Sequence, residues 1–478
     1  MNDVGFMHRA LELARKGAGW VNPNPQVGCV IVRDGRITGQ GWHARFGDVH
    51  AERAALASCT EDPRGATLYV TLEPCCHTGH QPPCVEAILD SGIARVVVGS
   101  SDPNPLVAGG GVRRLRSAGV HVDEGVARAE CDRLNEAFFH YITTREPFVL
   151  MKYAMTMDGK VATRTGASRW VTGEAARRRV HADRGRYAAV MVGVGTVLAD
   201  DPLLTCRIEG CHEPVRIVVD ARLRTPLTSQ LVCSAALVGP LPLEAAVGGS
   251  DGAVEVGKRD GAAHGRAGGA ALAGVAPAVP GPVVIATACT DAARQGPYRA
   301  AGVRILEVPG TDGEVDLRAL MRELGALGVD SVILEGGPTL GAAALEAGIV
   351  RRVQAYVAPK LFGGSGAPSP VMGAGVAEPS EAVRLGSPTV RRFGEDLLLE
   401  ADVPPAVAAS GGDAGRNARR GRAERRVSAA CTDVPDGPLD NSTGASDGRS
   451  TRGGATCARV SSERASQHMG LAGTGGER

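Results

Sequence analysis

Two stretches lying close together, HAERAALASC at residues 50–59 and LEPCCHTGHQPPC at residues 72–84, decide how the N-terminal fold is interpreted. Together they contain three histidines, four cysteines and a glutamate two residues after the first histidine. Imidazole and thiolate groups are the ligands that hold zinc most often in proteins. The two stretches therefore predict a zinc centre in the first part of the chain.

The spacing of His50 and Glu52 restricts where they can lie in a helix. Residues i and i+2 are about 200° apart around a continuous helix. Both side chains can face one metal only if His50 stands at the helix entrance and Glu52 in its first turn. Cys84 follows two prolines in PPCVEAILDSG, a helical stretch whose first turn we expect to contain them. The N-terminus of a helix favours a thiolate, which suits a metal ligand.

His-x-Glu followed by Pro-Cys and a later cysteine is the pattern of zinc-dependent nucleobase deaminases. Three protein ligands leave one coordination position open for water, and zinc lowers the pKa of that water until hydroxide is available near neutral pH. A carboxylate that is not a ligand must then carry the proton to the ring nitrogen and to the leaving ammonia. Glu52 fits this role.

The spacing of the cysteines leaves other interpretations open. Eight residues separate Cys75 from Cys84, whereas the common deaminase signature has two. A structural zinc site needs a fourth ligand, which Cys76, His77 or His80 could supply. A reactive cysteine cluster without metal is a further alternative.

Helix and strand signals alternate along residues 1–145, which indicates an α/β domain. MNDVGFMHRALELARKGAG has apolar residues at helical spacing, and VGCVIVRDGRITGQGW predicts a hairpin closed at Asp34-Gly35. Further strands are predicted at ATLYVTL and ARVVVGS.

Residues 147–402 predict a second α/β domain. Its strands are expected at FVLMKYAM, YAAVMVG, VRIVVD, PVVIATA, VRILEV, DSVILEGG, RRVQAYVAP and DLLLEADV. Between about 237 and 282 the composition is dominated by Gly, Ala and Val, which we interpret as a low-complexity insertion in a surface loop. Residues 403–478 contain almost no large apolar side chains, so we expect a disordered tail.

Composition excludes several classes of protein. The net charge of the 478-residue chain is +1, which argues against partners bound by a broad basic surface, such as nucleic acid or membranes. No apolar run is long enough to span a bilayer, and the N-terminus lacks a secretion signal. Twelve cysteines in such a chain favour a reducing compartment, so we expect a cytoplasmic protein.

NPNPQVGCVIV, GWH, HAE and EPCCHTGHQPPC, in this order, resemble the deaminase half of the bifunctional riboflavin-biosynthesis deaminase/reductase family. The resemblance implies a cytidine-deaminase-like three-layer fold with one zinc ion per chain. It implies zinc ligands at His50, Cys75 and Cys84, the proton shuttle at Glu52, and substrate contacts at Asn24 and His43. In the family, a basic residue and threonine precede Pro-Pro-Cys, but this chain has His80 and Gln81, which puts a substrate contact there in doubt.

KYAMTMDGKVAT, SRWVTG, GVGTVLADDPLLTCR and LEGGPTLGAAAL resemble the reductase half of the same family, which implies a dihydrofolate-reductase-like fold and NADPH. The residues of LEGGPTLGAAAL themselves indicate a Gly-rich strand-to-helix turn, which presents backbone N–H groups to a phosphate. The chain has no GxGxxG fingerprint, so a standard Rossmann site is not supported.

The resemblance also implies individual contacts in the reductase half. Cofactor contacts are implied at Ala154, Trp170, Thr196, Asp200, Gly337, Pro338, Thr339, Leu340, Gly341, Ala342 and Ala343. Substrate contacts are implied at Ser168, Arg184, Leu204, Arg207 and Glu335.

The chemistry of the reductase substrate suits several of these residues. The two arginines suit its ribose phosphate, and Lys152 with Glu335 suits proton transfer beside the reacting sugar carbon. Without the resemblance, surface ion pairs for the arginines and core packing for Trp170 would be favoured. A metal at Cys206, Cys211 and His212 is disfavoured because the sequence offers no fourth ligand nearby.

We therefore predict a two-domain enzyme of riboflavin synthesis. It would deaminate 2,5-diamino-6-(5-phosphoribosylamino)pyrimidin-4-one by attack of zinc-bound hydroxide. It would then reduce the ribosyl group to ribityl with NADPH, and we expect a homo-oligomer. Two rivals are a deaminase of free bases, nucleosides or nucleic acid with an inert second domain, and a zinc-stabilised binding protein.

Overall fold

The computed structural model of the chain describes residues 1–78, 81–241 and 280–404. The insertion predicted at about 237–282 lies largely outside these residues, as do nearly all of the predicted tail and His80. All described residues belong to one compact unit that contains two β-sheets. In the described part of the chain, no helix combines the length and the apolar character that crossing a bilayer requires.

The first sheet has five strands in the order β2-β1-β3-β4-β5. The strands are β1 (Gly28–Arg33), β2 (Arg36–Trp42), β3 (Thr67–Leu72), β4 (Arg95–Ser100) and β5 (His121–Glu124). β1 is antiparallel to β2 and β3, whereas β3, β4 and β5 are parallel. The predicted hairpin is confirmed: Asp34 and Gly35 both have positive φ, 49° and 74°, as a tight Asp-Gly turn requires.

Five helices cover the two faces of this sheet, and a sixth packs against the second sheet. They are α1 (Asp3–Ala14), α2 (Ala51–Ala57), α3 (Cys84–Asp90), α4 (Gly110–Ser117), α5 (Arg128–Leu134) and α6 (Glu136–Thr144). Alternating strand residues point to opposite faces, so Cys29 and Ile31 pack with α2, α3 and α4 while Val30 and Val32 pack with α1 and α5. This arrangement confirms the predicted three-layer domain. The prolines before Cys84 precede α3, with Pro83 as its N-cap, rather than lying in its first turn as predicted.

The second sheet has nine strands in the order β10-β9-β8-β7-β11-β6-β12-β14-β13. The strands are β6 (Phe148–Thr156), β7 (Ala189–Gly193), β8 (Val215–Val219), β9 (Val283–Thr287), β10 (Arg304–Glu307), β11 (Ser331–Leu334), β12 (Val350–Ala358), β13 (Thr389–Phe393) and β14 (Asp396–Asp402). All eight predicted strands are present, and β13 was missed. β13 is an edge strand with no buried residue, so it carries no hydrophobic alternation that the sequence could reveal.

Six further helices pack on the second sheet. They are α7 (Glu174–Arg186), α8 (Val194–Asp200), α9 (Gln230–Ala235), α10 (Ala292–Ala300), α11 (Leu317–Ala326) and α12 (Pro338–Glu346). The first seven strands in this order, from β10 at the edge through to β12, are all parallel. Strands β14 and β13 add an antiparallel edge. The carboxyl ends of the parallel strands β6, β7 and β11 therefore meet at one edge, where α/β proteins bind ligands.

Polar contacts join the two halves of the described chain. The Asn22 side-chain amide donates a hydrogen bond of 2.9 Å to Asp330, just before β11. On α6, Tyr141 donates a hydrogen bond of 3.0 Å to the Gly325 carbonyl on α11. The Arg352 guanidinium is 5% exposed and binds the carboxylate of Glu136 on α6. The two sheets are therefore connected by buried or partly buried hydrogen bonds and an ion pair, in addition to the chain itself.

Gly41 allows α2 to approach β2 closely, so we expect Gly41→Ala to destabilise the protein. A Cβ atom at Gly41 would lie 2.3 Å from the Ala55 nitrogen and 2.5 Å from the Ala51 carbonyl oxygen. Such overpacking costs about 1–3 kcal/mol, which a lower melting temperature should report. The matched control is Gly296→Ala on α10, where an added Cβ meets no atom within 4 Å. A Gly41→Ala protein as stable as the parent would refute this packing constraint.

Asp330 should make stability depend on pH. Burial raises the pKa of this carboxyl to about 6, although hydrogen bonds from Ser331 and Asn22 oppose the shift. Because the folded pKa is raised, the group stabilises the fold at low pH, and that stabilisation is lost as the pH rises through about 6. Relative to the parent, Asp330→Asn should therefore gain stability between pH 5 and pH 8, by about 1.4 kcal/mol. Urea unfolding gives the free energy of unfolding of both proteins at pH 5 and pH 8. If the variant and the parent differ by the same amount at both pH values, the raised pKa of Asp330 is refuted.

Candidate active sites

The first candidate site surrounds three potential metal ligands. His50, Cys75 and Cys84 place their ligand atoms within 4.8 Å of one another. His50 Nδ1 lies 3.5 Å from the Cys75 sulfur and 3.3 Å from the Cys84 sulfur. One imidazole and two thiolates suit zinc, and three donors leave a coordination position open. No other group of His, Cys, Asp or Glu side chains among the described residues brings three ligand atoms this close together.

Local structure places each member of the cluster. His50 is the N-cap of α2 in an extended conformation, and Glu52 lies in the first turn of that helix. Cys84 is the first residue of α3, and its backbone N–H donates to the Cys75 sulfur at 3.3 Å. The spacing of His50 and Glu52 predicted this arrangement, with His50 at the helix entrance and Glu52 in the first turn. Glu52 is 3% exposed, and burial and the neighbouring Cys75 thiolate raise the pKa of its carboxyl to about 7.

Cys76 and His77 lie outside the cluster. The Cys76 sulfur is 3.9 Å from the Leu106 carbonyl, and His77 Nδ1 is buried without a hydrogen-bond partner. Neither belongs to the group of mutually close ligand atoms. A structural site with Cys76 or His77 as fourth ligand is therefore not what the structure shows, and His80 lies outside the described residues.

A cavity of about 190 Å³ opens beside the cluster. Asn24, His43, His50, Glu52 and Cys75 all line it, so the predicted substrate residues and most of the predicted ligands come together. His43 Nδ1 lies 3.2 Å from the Val49 carbonyl oxygen, which can only accept, so Nδ1 carries the proton. His43 Nε2 then accepts from the Asn24 amide at 3.3 Å. Burial lowers the pKa of His43, which keeps the ring neutral.

Sequence reasoning missed several residues around this cavity. Glu73 accepts hydrogen bonds from the backbone N–H groups of Gly109 and Val112 and so anchors the start of α4. Asp102 and a wall formed by α6 also line the cavity, as does Gln81, whose contact with substrate the sequence had left in doubt. The glutamate of the Glu-Pro-Cys-Cys motif was visible in the sequence, but its partners lie more than 30 residues away.

The second candidate site is a cleft of about 770 Å³ at the carboxyl edge of the second sheet. Thirteen of the predicted residues line it: Lys152, Ala154, Ser168, Trp170, Arg184, Thr196, Asp200, Leu204, Arg207, Glu335, Gly337, Pro338 and Gly341. The other four predicted residues, Thr339, Leu340, Ala342 and Ala343, lie on α12 away from the lining. The volume suits a large cofactor together with a substrate.

The glycine-rich turn before α12 fits the phosphate-binding role that was predicted for it. Gly336 and Gly337 have φ values of 138° and 84°, which favour glycine. A Cβ atom at Gly336 would lie 3.2 Å from the Thr196 hydroxyl, so the turn passes close to α8. Pro338 begins α12, whose free backbone N–H groups face this end of the helix.

Three charged groups form the centre of the cleft. Arg184 donates to both carboxylate oxygens of Glu335, at 2.6 and 3.0 Å, and Lys152 Nζ lies 3.8 Å from Glu335 Oε2. Burial alone would raise the pKa of Glu335, but the two cations outweigh burial and the pKa falls below its usual value. Burial lowers the pKa of Lys152. Arg184 was predicted to contact substrate phosphate, yet its guanidinium is already paired with Glu335.

Other predicted residues of the cleft are arranged as follows. Trp170 is 59% exposed beneath the Arg177 guanidinium, which lies 4.4 Å from the ring centroid, so core packing is not its role. The Ser168 hydroxyl donates to Asp200 at 3.4 Å. Cys206, beside the exposed Arg207, donates to the His181 carbonyl at 3.2 Å and forms no metal cluster with its described neighbours.

Comparisons with known proteins agree with this division of the chain. The family described as the cytidine and deoxycytidylate deaminase zinc-binding region matches residues 1–100, and the RibD C-terminal domain matches residues 147–241 and 268–399. The riboflavin biosynthesis protein RibD of Actinobacillus pleuropneumoniae is 46% identical over 400 residues, which cover 84% of this chain and 95% of that protein. The RibD protein of Escherichia coli strain K12 is 35% identical over 412 residues, covering 84% of this chain and 99% of that protein.

Two solved structures are similar over the same range. Acinetobacter baumannii RibD aligns with a TM-score of 0.67 and 31% identity, covering 84% of this chain and 99% of that chain. A Thermotoga maritima protein described as a diaminohydroxyphosphoribosylaminopyrimidine deaminase/5-amino-6-(5-phosphoribosylamino)uracil reductase aligns with a TM-score of 0.66 and 35% identity, with the same coverage.

Removing one proposed ligand should distinguish the zinc-binding cysteines from the other cysteine of the same loop. We expect Cys84→Ser to weaken zinc binding by more than about 100-fold, since loss of even an outer partner of a metal ligand costs 10–100-fold. The matched control is Cys76→Ser in the same loop, which should keep one zinc per chain. Zinc content after dialysis against a weak chelator measures both. Full zinc in the Cys84→Ser protein would refute the ligand assignment.

Proposed function

The chain belongs to the RibD family of riboflavin-biosynthesis proteins, and we propose that its two sites carry out two successive reactions of that synthesis. The N-terminal part is a zinc-dependent hydrolytic deaminase and the C-terminal part an NADPH-dependent reductase. The substrate of the first reaction is 2,5-diamino-6-(5-phosphoribosylamino)pyrimidin-4-one, and the second reduces the ribosyl group of the deaminated product. The observation that supports the first reaction best is the cluster of three ligands beside a buried carboxylate that is not a ligand.

We propose that His50, Cys75 and Cys84 hold zinc, which when bound supplies Lewis-acid activation of water. Glu52 would accept one proton from the attacking water and deliver it to the ring nitrogen, and would then carry the second proton, from the new hydroxyl at C2, to the departing amino group. Its carboxylate is suited to this because it is buried near the ligands without being one of them. The products of this step are the uracil ring and ammonia.

Asn24 and His43 orient the pyrimidine in this proposal. The Asn24 amide nitrogen donates to His43 Nε2, which leaves the Asn24 carbonyl oxygen to accept from an amino group of the substrate. The Val49 carbonyl fixes the His43 tautomer that this arrangement needs. His43 is 3% exposed, so its ring is shielded from bulk solvent.

In the reductase cleft, NADPH supplies a hydride to C1 of the ring-opened sugar. Ring opening moves the N–H proton of the glycosylamine to the ring oxygen. We propose that Lys152 donates the proton that the imine nitrogen takes up with the hydride, since its ammonium is largely shielded and lies 3.8 Å from Glu335. Arg184 holds Glu335 in place through two hydrogen bonds, so it positions the proton relay. Arg207, which is exposed on the cleft wall, is then the residue for the substrate phosphate.

The cofactor contacts are proposed at the turn from Gly337 to Ala343 and at Ala154, Trp170, Thr196 and Asp200. The glycine turn and the N-terminus of α12 provide backbone N–H groups for phosphate oxygens. Members of the turn that do not line the cleft with their side chains can take part only through the backbone.

The two rivals from the sequence are less well supported. A deaminase with an inert second part does not account for a RibD match that continues to residue 399 or for the charged cleft. A zinc-stabilised binding protein would be expected to have four protein ligands, whereas the described cluster has three.

We further propose a cytoplasmic homo-oligomer whose partner is its small-molecule substrate, not nucleic acid or a membrane. All ten described cysteines are free thiols, which fits a reducing compartment. Large apolar side chains are exposed between residues 361 and 397, among them Leu361, Met372 and Val390, which fits an interface between copies. Sedimentation equilibrium of the purified chain tests the oligomer, and a monomer at all concentrations would refute it.

Two variants should separate the reactions. Glu52→Gln keeps the shape of the side chain but cannot carry a proton, so ammonia release should fall by about 10²–10⁴-fold with zinc retained. Glu335→Gln should leave ammonia release intact and strongly slow NADPH oxidation with the deaminated substrate. Each variant is thus the folding control for the other.

A third variant, Glu86→Gln on the exposed face of α3, should change neither reaction. Retained deamination in the Glu52→Gln protein, or equal loss of both reactions in either site variant, would refute separate sites with these residues.

A further inference from the structure

Helix α6 forms part of the wall of the deaminase cavity. Phe138, Tyr141, Ile142 and Arg145 line the same cavity as Glu52. The helix follows the first sheet in the chain and leads directly into β6 of the second sheet. The segment that connects the two halves therefore contributes side chains to the first site, and none of them was among the predicted site residues.

The backbone of Arg145 is held between two helices. Arg145 ends α6 with a φ of 60°, in the left-handed region where glycine is the usual residue. Its N–H donates to the Tyr141 carbonyl at 2.8 Å. A Cβ atom on Gly325 of α11 would lie only 2.0 Å from the Arg145 carbonyl oxygen, so the two backbones are in close contact. Tyr141 also donates a hydrogen bond to the Gly325 carbonyl. Contacts from the reductase half thus fix the position from which the Arg145 side chain starts.

The charge of the cavity is unfavourable for an anion except at Arg145. Four carboxylates line it, on Asp48, Glu52, Glu73 and Asp102. Among the described lining residues, Arg145 is the single lysine or arginine. A phosphate dianion that approaches these acidic side chains needs a compensating cation, because repulsion from each ionised carboxylate grows as water is excluded.

The Arg145 guanidinium is available for a ligand. It lies over the Tyr141 ring, 5.9 Å from the centroid, and makes no ion pair with a carboxylate of the described chain. It is exposed, whereas Glu52 is buried. A substrate whose ring reaches Glu52 would therefore extend its ribose phosphate toward the exposed end of the cavity. Gln81, on the loop before Cys84, lines the cavity without a charge.

We propose that Arg145 binds the phosphate of the deaminase substrate and makes the cavity selective for the phosphorylated pyrimidine over its dephosphorylated form. The guanidinium can form two parallel hydrogen bonds with phosphate oxygens. The inference rests on the proposed deaminase function and adds the residue that selects the phosphate. Because the reductase half positions Arg145, selectivity in the first reaction depends on the second half of the chain.

The test compares two substrates with zinc-loaded full-length protein. Ammonia release is measured with 2,5-diamino-6-(5-phosphoribosylamino)pyrimidin-4-one and with its dephosphorylated form. Arg145→Met should raise KM for the phosphorylated substrate about 10- to 100-fold, as loss of a charge-assisted hydrogen bond does. kcat for that substrate, and KM for the dephosphorylated one, should not change, because the contact is made equally in ground and transition states.

Two more variants complete the design. Arg145→Lys keeps the charge and should recover part of the affinity for the phosphorylated substrate. Arg128→Met removes an exposed arginine on α5 that pairs with Asp132, outside the cavity, and should behave as the parent.

The possible outcomes are distinguishable. Equal loss with both substrates would show that Arg145 only supports the fold, and unchanged KM values would show that the phosphate binds elsewhere; either result overturns the proposal. If the parent releases no ammonia from either substrate, the deaminase function itself is overturned.

Discussion

The close contact between α2 and β2 is the constraint on which the metal cluster depends. Gly39 and Gly41 leave no room for a side chain, since a Cβ atom at either would lie within 2.6 Å of the α2 backbone. This contact places the start of α2, and with it His50 and Glu52, against the sheet edge from which the Cys75 loop emerges. An imidazole from one helix entrance and a thiolate from another then meet without distortion of either helix. Backbone packing thus brings together the ligand atoms that a metal requires.

The reductase cleft is organised by one buried carboxylate. Glu335 follows β11, Lys152 lies on β6 and Arg184 lies on α7, so three elements bring their charges together at one edge of the sheet. A buried carboxylate is unfavourable unless it is paired, and two hydrogen bonds from Arg184 with a nearby ammonium supply that pairing. Because Arg184 is occupied in this way, it cannot bind phosphate with the same guanidinium edge. This pairing supports the proposal that Arg207, on the cleft wall, contacts the phosphate.

The two halves are chemically distinct but structurally joined. α6 packs against α11 through Tyr141 and Gly325, and Arg352 on β12 binds Glu136 at the start of α6. The same helix presents Phe138, Tyr141 and Ile142 to the deaminase cavity. A change at this junction can therefore reach the first site although it lies far from the metal ligands in sequence. The two halves are thus joined in one chain, and the second half also helps to position residues of the first site.

Much of the fold and of the first site could be predicted from the sequence alone. Ligand types, the His50–Glu52 spacing and the hairpin at Asp34-Gly35 are properties of neighbouring residues, and strand periodicity is equally local. The partner of Arg184, 151 residues away, the exposed strand β13 and the α6 wall with Arg145 were decided by the tertiary structure. The physical reason is that local conformation and metal chemistry depend on residue types close together in the chain. Which charges meet, and which side chains close a cavity, depends on how distant elements pack.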